Sequence, residues 1–62
     1  MNADTLKGNW KELKGKIVKK WSKLTDDDMG EVAGDLTILE GKLQEAYGLS
    51  KEEVEKELRQ IQ

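Results

Sequence analysis

The sequence predicts an all-α fold, a small four-helix domain built from two repeated helical hairpins. Apolar residues recur at spacings of three and four along the 62-residue chain, as on one face of an α-helix. One pattern occurs twice, as "LKGKIVKKW" at 13–21 and as "LEGKLQEAY" at 39–47. Two segments also begin with a helix-capping pattern. We therefore expect a single domain, 1–62, with repeat halves at about 5–33 and 34–61, each a long helix, a turn and a short helix.

The first element is predicted to be one amphipathic helix of about five turns. Asp4 or Thr5 is expected to cap its start, because short polar side chains accept from the free N–H groups of a helix. Its apolar stripe comprises Leu6, Trp10, Leu13, Ile17, Trp21 and Leu24. Successive residues of the stripe are 4, 3, 4, 4 and 3 positions apart in the sequence. Seven lysines fall off this stripe, namely Lys7, Lys11, Lys14, Lys16, Lys19, Lys20 and Lys23.

Thr25 and Asp28 form a capping pattern at the start of a short second helix, whose Met29, Val32 and Ala33 are expected to face inward. In such a box the hydroxyl accepts from the N–H three residues on and the acid reaches back. An EF-hand would need ligands at alternate positions, a glycine at position 6 and a glutamate at position 12. The three consecutive aspartates at 26–28 lack that arrangement, so we predict that this segment caps the second helix and binds no metal.

Gly34 and Asp35 are expected to end this helix and start the third one, although 26–47 is also compatible with one kinked helix. The third helix places Leu36, Leu39, Leu43, Ala46 and Tyr47 on one face. Gly48 suits the left-handed position after a helix end. Ser50 and Glu53 form a second capping box, opening a fourth helix with Val54, Leu58 and Ile61 inward.

Gly15 and Gly41 occupy the same position in the two repeats, and a glycine inside a helix costs about 1 kcal/mol relative to alanine. Three explanations for a glycine inside a helix are the close approach of another backbone, a helix kink, or a helix of deliberately low stability. Val18 and Ile38 lie off the main stripes near these glycines, which favours a second packed surface. We therefore predict close backbone packing at both glycines.

The motifs that these residues form are specific when taken together. They are Asn9-Trp10-Lys11, Lys14-Gly15-Lys16, Trp21, "LTDDD" at 24–28, Gly34, Leu39, Gly41-Lys42, Gln44 and Tyr47-Gly48. In this combination the chain resembles the CsbD-like family of small bacterial stress-response proteins over almost all of residues 7–58. The resemblance implies an all-helical fold and accumulation under general stress, and it supplies no catalytic residue. Ser22 and Asp35-Leu36 depart from the family pattern, the latter replacing a frequent basic pair.

Composition narrows the classes of function. The chain has no cysteine and no histidine, so we expect no enzyme, no metal and no cofactor. No apolar run is long enough for a membrane span and no signal peptide is evident, so we expect a cytoplasmic protein. High charge (39%), six glycines and a mean hydropathy of −0.81 place it between globular and disordered proteins.

The sequence favours a non-catalytic, monomeric stress-response protein that acts by contact with an unknown protein or as an abundant protectant. Residues 1–24 carry a charge of +5 and residues 25–62 one of −7. An alternative is therefore a weak nucleic-acid or anionic-surface binder that uses the seven lysines. We do not expect nucleic acid, because the lysines spread over a wide arc and the tryptophans face the core.

Overall fold

The computed structural model describes residues 2–62 and contains five α-helices, with no strand in that range. They are α1 (Ala3–Gly8), α2 (Trp10–Lys20), α3 (Asp26–Val32), α4 (Leu36–Tyr47) and α5 (Lys51–Ile61). The predicted all-α fold is therefore confirmed. The helix count is five where the sequence predicted four.

The extra helix arises because the predicted first helix is divided at Asn9. The Asn9 backbone N–H and side-chain Nδ2 both donate to the Thr5 carbonyl, at 3.0 and 3.2 Å. Asparagine competes for backbone hydrogen bonds in this way, and the preceding Gly8 is a weak helix former. The start of α1 also differs from the prediction, since Asn2 caps it by accepting from the Thr5 N–H at 2.8 Å.

The connection between α3 and α4 is a tight reversal, so the alternative of one kinked helix through 26–47 is wrong. Ala33 and Gly34 both have left-handed backbones, with φ of 46° and 85°. Ala33 is exposed at the end of α3, whereas the sequence placed it inward. Asp35 then caps α4 by accepting from the N–H groups of Thr37 and Ile38.

The core lies between one face of each helix, and α4 is its centre, packed against α1, α3 and α5. Half-buried side chains at its edge include Trp10, Val18, Tyr47 and Ile61. No polar or charged residue is buried in the described part of the chain. The buried hydrophobic residues are Leu6, Leu13, Ile17, Trp21, Leu24, Met29, Val32, Leu36, Leu39, Leu43, Val54 and Leu58.

The starts of four helices follow the spacing of the repeated sequence pattern. α2 and α4 begin 26 residues apart, at Trp10 and Leu36, and α3 and α5 begin 25 residues apart. α1 lies outside this pairing. A structural repeat of the two hairpins, with halves at about 5–33 and 34–61, stays a prediction.

The predicted close packing at Gly15 and Gly41 is wrong. Both glycines are exposed, and a Cβ added to either would meet no atom of a neighbouring element within 4 Å. Ile38 is 41% exposed, so it forms no second packed surface. A five-helix domain of this size has one core, and the opposite face of each helix is left to solvent. The close approach occurs instead at Gly34, where a Cβ would lie 3.1 Å from the Lys7 Cα.

Candidate functional site

The most distinctive surface is formed by the seven lysines named above, here called the lysine face. All seven are exposed, on α1, on α2 and in the turn that follows α2. At about 100° per residue, the five lysines on α2 flank its buried stripe on both sides and cover its outer face. None is salt-bridged to an acid within residues 2–62, where both salt bridges use Lys42. The lysine face is therefore a broad basic surface in which no lysine forms a salt bridge within the described part of the chain.

Lys23 differs from the other lysines because it also holds the turn after α2 against the end of α4. Its backbone N–H donates to the Tyr47 hydroxyl at 2.9 Å, and its Nζ donates to the Ala46 carbonyl at 3.4 Å. The same Nζ lies 5.0 Å from the centre of the Tyr47 ring. A cation at a helix C-terminus meets the negative end of the helix dipole. Sequence reasoning missed these contacts, which join residues 23 or 24 positions apart.

A second charged group joins α3 to α4. Lys42 donates to Asp28 Oδ1 at 3.2 Å and also to Glu31. Asp28 Oδ2 accepts from the Thr25 backbone N–H at 2.9 Å, so one carboxylate both caps α3 and binds α4. The Thr25 N–H and then Lys42 lower the pKa of Asp28, while the hydrogen bond to Glu31 raises the pKa of Lys42. The sequence predicted the cap but carried no signal for the lysine.

Both predicted capping boxes are present. Thr25 Oγ1 accepts from the Asp28 N–H at 3.1 Å, and Ser50 Oγ accepts from the Glu53 N–H at the same distance. Glu53 returns the bond by accepting from the Ser50 N–H at 3.1 Å, which lowers the pKa of Glu53. The hydroxyls of Thr25, Ser50 and Tyr47 are thus all acceptors for backbone N–H groups.

The clefts of the molecule are shallow and open to solvent. One cleft of about 280 Å³ lies between the turn after α2 and α4, and one of about 320 Å³ lies where α1 meets the start of α4. Within residues 2–62 no group of three or more acids is placed to hold a metal ion. No helix in that range is long and apolar enough to cross a membrane. The surface therefore offers electrostatic contact and no enclosed reaction site among the described residues.

Comparison with known proteins places these motifs in context. The CsbD-like family model matches residues 4–56. A UPF0337 protein of Pseudomonas aeruginosa is 54% identical over 59 residues, which cover 95% of this chain and 91% of that protein. The UPF0337 protein YjbJ of Escherichia coli K12 is 52% identical over 58 residues, which cover 94% of this chain and 84% of that protein. No solved structure matches the chain significantly.

Proposed function

The chain belongs to the CsbD-like family of bacterial stress proteins, and on that premise we propose that it acts without catalysis. It works by contact with other proteins through its exposed surface or as an abundant protectant. Both modes need an exposed polar surface, and neither needs a reaction site. The charged surface and the fully apolar core fit that requirement.

The observation that carries this proposal is the structural use of three of the six hydroxyl side chains. Thr25, Ser50 and Tyr47 each accept a backbone N–H at 2.9–3.1 Å, in a cap or in the turn that contacts α4. An activated nucleophile instead needs a base within hydrogen-bond reach and a third group that orients the base. These side chains therefore support the fold, and the acids at Asp28 and Glu53 do the same.

A protection assay tests the proposal. A desiccation-sensitive enzyme is dried and rewetted with increasing amounts of the protein, and its recovered activity and light scattering are measured. An equal mass of an unrelated globular protein is the control. We expect protection above the control, saturating near a fixed molar ratio if contact is responsible and rising steadily if abundance is. Protection equal to the control would contradict the proposal.

A second candidate function, weak binding to an anionic surface, is favoured by one specific observation. The lysine face is exposed and has no acidic partner within residues 2–62. Lysines that neutralise phosphates release counterions, so binding should weaken steeply between about 50 and 200 mM salt. The half-buried or buried tryptophans leave no exposed tryptophan for base stacking, so the contact would be with backbone phosphates.

Titration of a fluorescent DNA duplex at both salt concentrations tests this candidate. A variant with K16Q and K19Q removes two charges from the lysine face. The matched control, K51Q with K56Q, removes exposed lysines from α5. We expect loss of binding in the first variant alone, and equal binding by both variants would exclude the lysine face.

A further inference from the structure

Three glycines lie inside helices at positions where nothing in the fold calls for glycine. Gly15, Gly30 and Gly41 belong to α2, α3 and α4 respectively, and all three are exposed. A Cβ at any of them would meet no atom of a neighbouring element within 4 Å, and none has a positive φ. Neither a close approach nor a left-handed backbone accounts for them.

We propose that these three glycines hold the fold near its stability limit, as a built-in conformational device. They maintain a minor open population, in which the apolar faces of α2, α3 and α4 separate, and that population grows under mild stress. The glycines act through the backbone, because glycine loses more conformational freedom on folding than any other residue. α3 has only seven residues, so its single glycine weakens a large part of the helix.

The size of the effect is large for a domain this small. Replacing a solvent-facing helical glycine by alanine raises the ratio of folded to unfolded molecules about two- to fivefold. Three independent replacements would raise it about tenfold to a hundredfold. The ratio expected for a chain of this length is on the order of 10² to 10⁶. The three glycines therefore change the ratio of folded to unfolded molecules by a substantial part of the ratio expected for the whole domain.

Two other glycines provide a contrast within the same molecule. Gly34 and Gly48 have φ of 85° and 72°, in the left-handed region that favours glycine. At Gly48 a Cβ would also meet open space, so G48A changes the backbone cost without a packing clash. G48A is therefore a matched control with the opposite expected sign.

The first experiment compares the parent, G48A and the triple variant G15A/G30A/G41A. Urea unfolding and amide hydrogen exchange of buried residues such as Leu39 and Leu43 are measured. In the triple variant we expect a higher urea midpoint and amide exchange in the core slowed about tenfold to a hundredfold. In G48A we expect a lower urea midpoint and faster amide exchange in the core. Unchanged or faster core exchange in the triple variant would overturn the proposal.

The second experiment asks whether the open population is used, and this step rests on the proposed function. The three proteins are compared in the drying assay at equal concentration. Weaker protection by the stabilised triple variant supports use of the open state, and full protection by that variant overturns it. If the parent itself does not protect, the proposed function fails, while the exchange measurements still decide whether the glycines set the open population.

Discussion

At the scale of single residues, substitution to alanine is expected to have opposite effects at different glycines. Gly34 has a φ of 85° and packs against the Lys7 backbone, whereas Gly30, four residues earlier, lies in open space on α3. The difference is not visible in the sequence, where Gly30 lies in α3 and Gly34 follows the end of the same helix by two residues. It follows from the reversal after α3, which brings α1 next to Gly34.

Gly34→Ala is expected to destabilise the protein by about 2–4 kcal/mol, combining the left-handed backbone with a tight contact. The added Cβ would lie 3.1 Å from the Lys7 Cα, a backbone atom that cannot move without shifting α1. Gly48→Ala separates the two causes, since its open surroundings leave only the backbone cost of about 1–2 kcal/mol. Urea unfolding measures both. Equal losses in the two variants would show that the contact with Lys7 contributes nothing.

Tyr47→Phe is expected to lower stability by about 0.5–1.5 kcal/mol, the usual net contribution of a hydrogen bond. The change removes the hydroxyl that accepts from the Lys23 N–H at 2.9 Å and keeps the ring beneath the Lys23 ammonium. Urea unfolding gives the free energy, and amide exchange at Lys23 locates the loss. Tyr47→Leu, which also removes the aromatic ring, should cost more. Unchanged exchange at Lys23 in the phenylalanine variant would contradict the assigned bond.

At the scale of elements, the start of each helix is determined locally more often than its end. α3 and α5 begin with capping boxes whose two partners are three residues apart. α4 is capped by Asp35, whose carboxylate accepts from the N–H groups of Thr37 and Ile38. α2 ends without a glycine, and the chain then runs through Trp21 and Leu24, which stay buried without belonging to a helix. The starts of α3, α4 and α5 therefore follow from side-chain chemistry, while the end of α2 follows from the core.

The capping carboxylates predict the pH dependence of stability. The pKa values of Asp28 and Glu53 are lowered from ordinary values of 3.8 and 4.5. As the pH falls past those values, the unfolded chain takes up protons while the native carboxylates stay charged, so unfolding becomes more favourable. The stabilisation is fully present above the ordinary values and is lost once the pH passes below the lowered native values. Lys42 acts at the other end, since its raised pKa makes its contribution vanish only as the pH rises through a value above 10.5.

Urea midpoints measured from about pH 7 to about pH 3 test this dependence. The parent midpoint should decrease over the acid range, and a variant with D28N and E53Q should show a lower midpoint at neutral pH with a shallower decrease. Because the other acid groups remain in both proteins, the comparison isolates the two capping carboxylates, including the contact of Asp28 with Lys42. Parallel curves for the two proteins would contradict the assignment of the acid dependence to the caps.

At the scale of the whole molecule, stability depends on one apolar core arranged around α4. Leu39 and Leu43 are fully buried, and α4 packs against three of the other helices. Trp21, 5% exposed, is buried in this core from the turn that follows α2. With no disulfide to constrain the unfolded chain, loss of one large core side chain removes a large part of the total stability.

Trp21→Ala is expected to cost about 3–5 kcal/mol, the usual range for deleting a buried aromatic side chain. In a domain of this size the loss can abolish folding, so circular dichroism should show a much lower melting midpoint or no cooperative transition. Trp10→Ala is the matched control, because Trp10 is only half-buried and its removal leaves a smaller cavity. An unchanged midpoint in the Trp21 variant would show that Trp21 lies outside the core.

Much of the fold was predictable from the sequence, and the failures have particular causes. The periodic stripes identified Leu13, Ile17, Leu39 and Leu43, which are buried. The division at Asn9 was missed because the apolar spacing continues across it. For the candidate site, the sequence identified the seven lysines as a group. It did not reveal that Lys23 also contacts Tyr47, because the two residues are 24 positions apart and share no local motif.

By itself, the sequence determined the features that depend on partners within about four residues along the chain. These are the helical stripes and the two capping boxes, where chain geometry leaves few alternative partners. The tertiary structure alone decided the contacts between distant residues, such as Lys42 with Asp28, 14 residues apart, and Gly34 with Lys7. Many acids are available to Lys42 in the sequence, and only the packing of α3 against α4 brings Asp28 and Glu31 within its reach. For the same reason the glycines of α2 and α4 lie in open space, because packing, and not their spacing, decides which face of a helix meets a neighbour.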